Sequence, residues 1–562
     1  MNPIDPAELR RGQFHFLAAR APNRVLVSVL AGILGGIAYA MLVPLILLSL
    51  ASVDPTLSEF VDDATPAIFG WEIQHWRFAA AFAALCVFAL LTRAFSQIVF
   101  GNVVNGASRQ LRLYLAERIR RLPIPDLEAI GPTRLQIAFV TDIPRLVEAA
   151  PNLPTVLINI STIVCALGFI AFLHMKMFFL VMAVIVFGVI SYRLPLIFGQ
   201  RHFIRARNTY DGIQESIRAQ LYGAKEFRLN AEKYRDFMDT GMRKDEDDVM
   251  RLTRRGNIIF YLALQYGNLI GFLAIGMVTY VAASRYGLSS GLLLSLVMAM
   301  LYVIGPINVI VNAVPALAQG TVALNKLNEL LDRMPIETLD ESGPPLACRT
   351  LRLDEVRYSY PDRDGFEVGP ISLSLHRGQV TFLVGGNGSG KSTLAKLISG
   401  HYRPISGRVL FDEMVLDDSN LFRARQSVSA IYLDFFLLTH LFGCAEPDVD
   451  RAEHYLQKLG LSHKVSLEGR RFSTTGLSDG QRKRLALLVA FMEQRNIYVF
   501  DEWAADQDPE FKHIFYTELL PELRRQDRIV VVISHDDRYF DQADQLVYME
   551  NGHVTEIKYR DA

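Results

Sequence analysis

Long apolar runs with few charges fill the first 320 or so residues, and short alternating segments fill the rest. The charge-poor runs fall at about 25–52, 78–102, 152–173, 177–196, 257–283 and 288–315. Each is near the ~20 residues that an α-helix needs to cross the hydrocarbon of a bilayer. Six crossings return the chain to the side on which it began. The charges between the runs say which side that is. The segment after the first run carries Asp54, Glu59, Asp62, Asp63 and Glu72 against Arg77, and the next short connections hold Lys176 and Arg285. By contrast, 103–151 carries Arg109, Arg112, Arg118, Arg120, Arg121, Arg134 and Arg145, and 193–256 is denser still in Arg and Lys. The positive-inside rule places both basic segments, the N-terminus and the C-terminal half in the cytoplasm.

Those basic segments keep helical apolar spacing over Leu111–Arg121 and Gln214–Met242, so the spans are expected to continue as helices beyond the membrane. Pro123, Pro125, Gly131 and Pro132 break the first and leave Asp126–Ile130 at its tip, while the second turns near Gly223. Helices extended in this way are levers. Inside the spans stand Arg93, Gln97, Asn159, Gln265, Asn268, Asn308 and Asn312. An intramembrane charge usually faces the bundle interior or a watery cavity, which makes Arg93 a candidate contact for a polar or anionic solute. A structural or snorkelling arginine is the competing reading. The amides read as helix–helix contacts, and Gly32 with Gly36 as a packing motif.

Pro335, Gly343, Pro344 and Pro345 mark a boundary, so the chain is expected to divide into 1–335, a linker at 336–348, and 349–562. The second part opens on a strand at Leu351–Tyr360. Val380–Val384 reads as a buried strand and the residues from Thr393 as a helix. Between them lies Gly385-Gly386-Asn387-Gly388-Ser389-Gly390-Lys391-Ser392, the G-x-x-x-x-G-K-[ST] phosphate-binding pattern. Its backbone N–H groups point at phosphate oxygens, Lys391 reaches the β/γ positions of ATP, and Ser392 can hold Mg²⁺. Asn496–Glu502 is an apolar strand ending in Asp501 and Glu502, one carboxylate for Mg²⁺ and the next for polarising an attacking water. The fold expected is thus a six-helix membrane domain followed by an α/β P-loop ATPase domain.

Composition adds limits. With 51% hydrophobic residues and a net charge of −1, the chain shows no bulk electrostatic signal for nucleic acid. Cys86, Cys165, Cys348 and Cys444 have neither disulfide nor metal spacing. The polar first 24 residues and the long run after them do not fit a cleavable signal peptide.

Leu477-Ser478-Asp479-Gly480-Gln481 resembles the signature motif of ABC transporters, and Val531–Asp536 resembles the strand that leads to their switch histidine, here His535. Together with the phosphate loop and Asp501-Glu502, the resemblance covers essentially the whole chain and implies a half-transporter of exporter type (the type IV fold). Asp501–Phe511, Phe515–Pro521 and Ser534–Phe540 are similar to the branch of cyclic-peptide exporters. The resemblance implies a homodimer in a bacterial inner membrane, exporting a cyclic or modified peptide such as a siderophore or its precursor, a lipopeptide or an antimicrobial peptide. A periplasmic or outer-membrane partner is a further candidate. Alternatives on the same scaffold are a lipid or lipopeptide flippase, a siderophore importer, and a membrane-anchored regulatory ATPase.

By position, the resemblance implies that Tyr360 stacks on adenine, with the neighbouring Tyr358 as the alternative. Gly386, Asn387, Gly388, Ser389, Gly390, Lys391, Ser392 and Thr393 bind phosphates and Mg²⁺. Asp501 holds Mg²⁺, Glu502 is the general base and His535 senses the γ-phosphate. Ser478, Asp479, Gly480 and Gln481 face the partner's nucleotide, and Asp508 lies in the loop joining the two sites. Two positions depart from the family pattern. Asp479 replaces a glycine and, if it faces phosphate, weakens closure by repulsion. Leu433 stands where a glutamine is expected, leaving Asp434 as the nearest candidate to touch Mg²⁺ or the lytic water.

Overall fold

The computed structural model describes residues 10–51, 67–68, 71–72, 76–286, 290–338, 340–360, 365–443 and 448–560. Cys444 and the acidic positions Asp54, Glu59, Asp62 and Asp63 lie outside them. The chain divides into two compact units, Met1–Tyr114 with Gln136–Leu331, and Leu115–Leu135 with Asp332–Ala562.

The first unit is helical. Its main helices are α1 (Pro22–Ala40) and α2 (Trp76–Arg120), which ends in the second unit and is followed there by α3 (Ile124–Ile130). Then come α4 (Asn152–Leu173), α5 (Met175–Tyr222), α6 (Ala224–Leu229), α7 (Arg243–Gly276) and α8 (Ser290–Asp332). Among the described residues, five helical stretches are long and apolar enough to cross a membrane: Pro22–Leu47, Trp76–Arg120, Pro132–Leu173, Ala231–Val281 and Leu292–Asp332. Met175–Gly188 is a shorter apolar stretch in the place of the fourth expected run. At a rise of 1.5 Å per residue, the 45 residues of α2 reach about 68 Å, over twice the thickness of the hydrocarbon.

Local chemistry sets the breaks. α5 starts where the His174 ring accepts a hydrogen bond from the Met177 amide at 3.4 Å, and it stops at Gly223. Asn230, just past α6, caps the short helix Ala231–Phe237 by accepting from the Lys233 amide at 2.9 Å. Pro125 does not break α3 as the sequence suggested. It sits in the first turn, where no intrahelical N–H is required, so the helix begins at Ile124.

Within this unit Ser28 and Ser96 clasp α1 to α2, each hydroxyl donating to the other residue's carbonyl at 2.7 Å. Gly32 and Gly36 bring α1 close to Ile158 of α4, where a side chain on either would collide. The outward positions are apolar, with Leu90 67%, Val164 65% and Phe172 86% exposed. Apolar area of this kind costs about 25 cal/mol per Å² in water and nothing in hydrocarbon, so lipid is the solvent that suits this surface.

The second unit is α/β. Its strands are β1 (Thr350–Ser359), β2 (Glu367–His376), β3 (Gln379–Val384), β4 (Ser406–Phe411), β5 (Met414–Val415) and β6 (Val428–Ile431). They continue with β7 (Ile497–Asp501), β8 (Ile529–Ile533), β9 (Gln545–Glu550) and β10 (His553–Tyr559). One sheet runs β10-β9-β3-β8-β7-β6, parallel except for the β9–β10 pair, and a second runs β2-β1-β4-β5. Buried clusters cover both faces of the parallel sheet, one around Phe382, Phe500 and Trp503, the other around Leu383, Val499 and Val531. Burial on both faces explains why β7 and β8 read as unbroken apolar runs.

Candidate active site

The register of the parallel strands fixes where chemistry collects. Leu383 of β3 lies opposite Ile533 of β8, Ile533 opposite Asp501 of β7, and Phe500 opposite Ile431 of β6. The phosphate loop, Asp501-Glu502, Ser534-His535 and Tyr432–Asp434 therefore leave neighbouring strands at one carboxyl-end level, where ligands bind in open α/β sheets. Residues scattered over 150 positions become neighbours through hydrogen-bonded backbone alone.

The loop from Gly385 leads into α9 (Lys391–Ile398), with Gly390 as its N-cap at φ 96°. That backbone conformation excludes most side chains, and a Cβ there would also press on Val368 at 3.0 Å. Gly386, Asn387 and Gly388 are exposed, leaving the loop open to a ligand, while Ser389 is buried. Lys391 is 7% exposed, and its ammonium donates to the Gly385 and Gly386 carbonyls at 2.8 Å each. Burial pushes its pKa below the ordinary value, against the opposing pull of Glu502 and Asp501. A cation held inside a glycine loop at a helix N-terminus is suited to phosphate.

Asp501 is buried at the end of β7, and its burial raises the carboxyl pKa above the usual range. The Ser392 hydroxyl, which hydrogen-bonds this carboxylate, opposes that shift, and the Glu502 charge reinforces it. Ser392 and Asp501 thus bring two hard oxygen donors together, a set that fits Mg²⁺. Glu502 follows at φ 49°, in the left-handed region that a non-glycine residue rarely adopts. Its neighbours hold it there: Asp501 ends a fully buried strand, and Trp503 is 1% exposed, stacked on Phe515 at 4.4 Å with its indole N–H donating to the Lys483 carbonyl at 2.8 Å. Strain retained by such anchors is a property of functional positions.

His535 stands exposed just beyond β8, next to Ser534, whose hydroxyl bonds that of Tyr516 at 2.7 Å. The Tyr360 hydroxyl bonds Thr393 Oγ1 at 2.8 Å, so Thr393 is turned toward the aromatic side of the site and is buried. Tyr360 is half-buried, while Tyr358 is only 5% exposed, which leaves Tyr360 the more accessible ring. Leu433 and Asp434 are both exposed beyond β6.

Ser478 caps α10 (Asp479–Glu493) in a capping box: its side chain accepts from the Gln481 amide, and Gln481 Oε1 accepts from the Ser478 amide at 3.3 Å. Asp479 points outward, with its side chain 91% exposed and the Arg482 guanidinium 3.9 Å away. In the first helical turn its charge favours the helix dipole. Asp508 caps α11 (Pro509–Ile514) by accepting from the Phe511 amide at 3.0 Å.

Sequence reasoning missed what ties these pieces together. The buried Lys483 ammonium donates to Asp506 at 2.7 Å, and the Gln507 amide donates to the Gly480 carbonyl at 3.0 Å. Both link α10 to the loop after Glu502. No motif contains them, because they are ordinary helix and loop residues until the fold brings them together. In the first unit, Arg93 of α2 lies 4.6 Å from the Tyr39 ring of α1, and the Tyr302 hydroxyl of α8 donates to the Tyr39 carbonyl at 2.6 Å.

Residues 368–505 match the ABC transporter family. Over 488 residues the chain is 33% identical to the ATP-binding protein SyrD of Pseudomonas syringae pv. syringae, covering 84% of this chain and 86% of that one. It is 25% identical over 476 residues to the ATP-dependent lipid A-core flippase of Albidiferax ferrireducens, with 79% of each chain covered. Against the protein of the same name in Bordetella pertussis it is 24% identical over 548 residues, 92% of this chain and 85% of that one. With a phosphate loop, paired carboxylates and a signature helix on one unit and membrane-length helices on the other, the chain belongs to the ABC transporter family, as a multi-pass membrane exporter that couples ATP hydrolysis to transport.

Proposed function

We propose that this exporter moves a cyclic or otherwise modified peptide (a peptide siderophore or its precursor, a lipopeptide or an antimicrobial peptide) across the bacterial inner membrane. The observation that carries the cargo reading is the Arg93 guanidinium over Tyr39, beside Tyr302, among apolar helices. A cation flanked by aromatic rings suits an amphipathic solute with an anionic group. Among the described residues, no carboxylate pairs with Arg93. The arginine-rich 103–151 and 193–256 support cytoplasmic termini and six spans.

In the motor, Lys391 and the loop amides would hold the phosphates of ATP, and Ser392 with Asp501 would hold Mg²⁺, which would supply positive charge against the phosphates. Glu502 would orient and deprotonate the attacking water, and His535 would contact the γ-phosphate. The exposed start of α10 and a single copy of each motif support a homodimer in which Ser478 and Gly480 face the partner's nucleotide.

A second reading, transport of a lipid or lipopeptide between leaflets, is favoured by relatives whose names describe lipid A-core flippases. Inverted membrane vesicles separate the two. Cyclic peptides, siderophore precursors and labelled lipids are offered with ATP, with Glu502→Gln as the control. Peptide accumulation that vanishes in the control supports the first reading, and ATP-dependent movement of lipid alone supports the second.

A further inference from the structure

We propose that Glu128 is a positioning residue that carries nucleotide occupancy from the ATP site to the lever helix α3, through Tyr402 and Lys396. All of these residues belong to the second unit. The inference deepens the transporter reading above and rests on it for its use in transport.

The anchoring of α3 comes first. Ile124 packs against the buried cluster that contains Tyr358, Leu394 and Tyr402, and Glu128 lies one helical turn further on the same face. The Glu128 carboxylate divides its oxygens between two donors. Oε1 accepts from Lys396 Nζ at 2.7 Å, and Oε2 accepts from the Tyr402 hydroxyl at 2.6 Å. Lys396 also donates to the Tyr402 oxygen at 3.3 Å, and its ammonium lies 4.9 Å from that ring's centroid. The three side chains form one closed, charge-assisted triangle.

Two routes lead from this triangle to the nucleotide. One is covalent: Lys396 is on α9, five residues or about 7.5 Å from Lys391 at its phosphate end. The other is aromatic. Tyr402, 1% exposed, stacks on Tyr358 at 4.6 Å and meets Tyr360 edge-on at 5.9 Å, and Tyr360 bonds Thr393 of α9. A ring or helix displaced by bound ATP has no slack to absorb the movement in so tightly packed a cluster. By contrast, the chain leaving β6 presents Leu433, 60% exposed and without a hydrogen-bonding side chain.

The test uses the full chain in lipid nanodiscs. In a Glu502→Gln background that retains ATP, amide exchange over 124–130 is measured with and without MgATP. ATP is expected to slow that exchange at least about threefold, and Glu128→Ala to reduce the effect below about 1.5-fold. Tyr402→Phe, which keeps the ring stack and removes only the hydroxyl, is expected to act in the same direction. With Glu502 intact, both variants should keep basal ATPase within about twofold of the parent while transport per ATP falls about tenfold. Exchanging the charges, with Glu128→Lys and Lys396→Glu together, should restore more coupling than either change alone. ATP protection that persists in Glu128→Ala, or a tenfold fall of ATPase in both variants, overturns the proposal. If the parent chain moves no cargo, the transport reading fails, and the exchange experiment still decides the role of Glu128.

Discussion

The two units solve different problems with different chemistry. In the second, the working residues sit where adjacent strands end, so backbone register brings Lys391, Asp501 and His535 to one level. In the first, Tyr39, Arg93 and Tyr302 come from three helices, with 263 positions between the tyrosines, and only side-chain packing joins them. A site built on strand ends leaves a local motif, because each fragment has to keep its turn, its glycine or its carboxylate. A site built between helices leaves single polar residues in apolar runs.

The sharpest break between the units is expected at Glu502. Glu502→Gln should lower ATP turnover about a thousandfold, the scale of a lost general base, while ATP binding measured by filter retention persists. Weakened nucleotide binding in this variant would argue that Glu502 serves the fold of the loop and not the chemistry. Next comes the stretch expected to be a plain linker. Glu337 is 5% exposed and receives Arg425 at 2.5 Å and Arg403 at 2.9 Å. Burial alone would raise its pKa, and the two arginines outweigh that and hold it below the usual range. Glu337→Ala leaves Arg425 without its carboxylate and Arg403 with Asp418 alone, and the second unit should lose about 3 kcal/mol in denaturant unfolding with little change in the first.

Arg93→Ala should do the reverse of Glu502→Gln, with cargo flux down about tenfold and basal ATPase within about twofold, read on the same vesicles. A smaller effect concerns pH. Burial holds the His401 imidazole down at about 4, with Arg425 and Lys396 acting in the same direction. The unfolded chain titrates near 6.5, so between about 6.5 and 4 it binds a proton that the folded unit refuses. Stability should fall as pH drops through that window, by about 1 kcal/mol at pH 5.5, and His401→Gln should flatten the slope. The smallest effect is expected at Asp479. With its side chain 91% exposed, Asp479→Gly should change ATPase less than twofold, whereas a large gain would mean that the carboxylate turns toward phosphate when two copies close.

What the sequence disclosed follows this division. The phosphate loop, the paired carboxylates, the signature helix and the apolar runs were legible because each depends on residues close together in the chain. α3 was visible only as a proline-bounded fragment, and its anchor was not: Glu128 meets Lys396 and Tyr402 across about 270 positions. Lys483 and Gln507 were equally silent, since nothing local distinguishes a lysine that will be buried against Asp506. Pro125 was read as a breaker because proline disrupts helix interiors, and only the position of the N-terminus shows that it opens a helix instead. Asp479 could be identified as a departure, but whether its charge faced phosphate or solvent depended on the capping geometry of Ser478 and Gln481.

The most direct measurement is simultaneous cargo flux and ATP hydrolysis in proteoliposomes of the full chain, comparing the parent with Glu502→Gln and Arg93→Ala. Coupled export predicts that Glu502→Gln removes both signals together, and the cargo reading predicts that Arg93→Ala lowers flux about tenfold while hydrolysis continues. Flux that survives Glu502→Gln would contradict the coupling of transport to ATP turnover, and unchanged flux in Arg93→Ala would remove Arg93 from the cargo path.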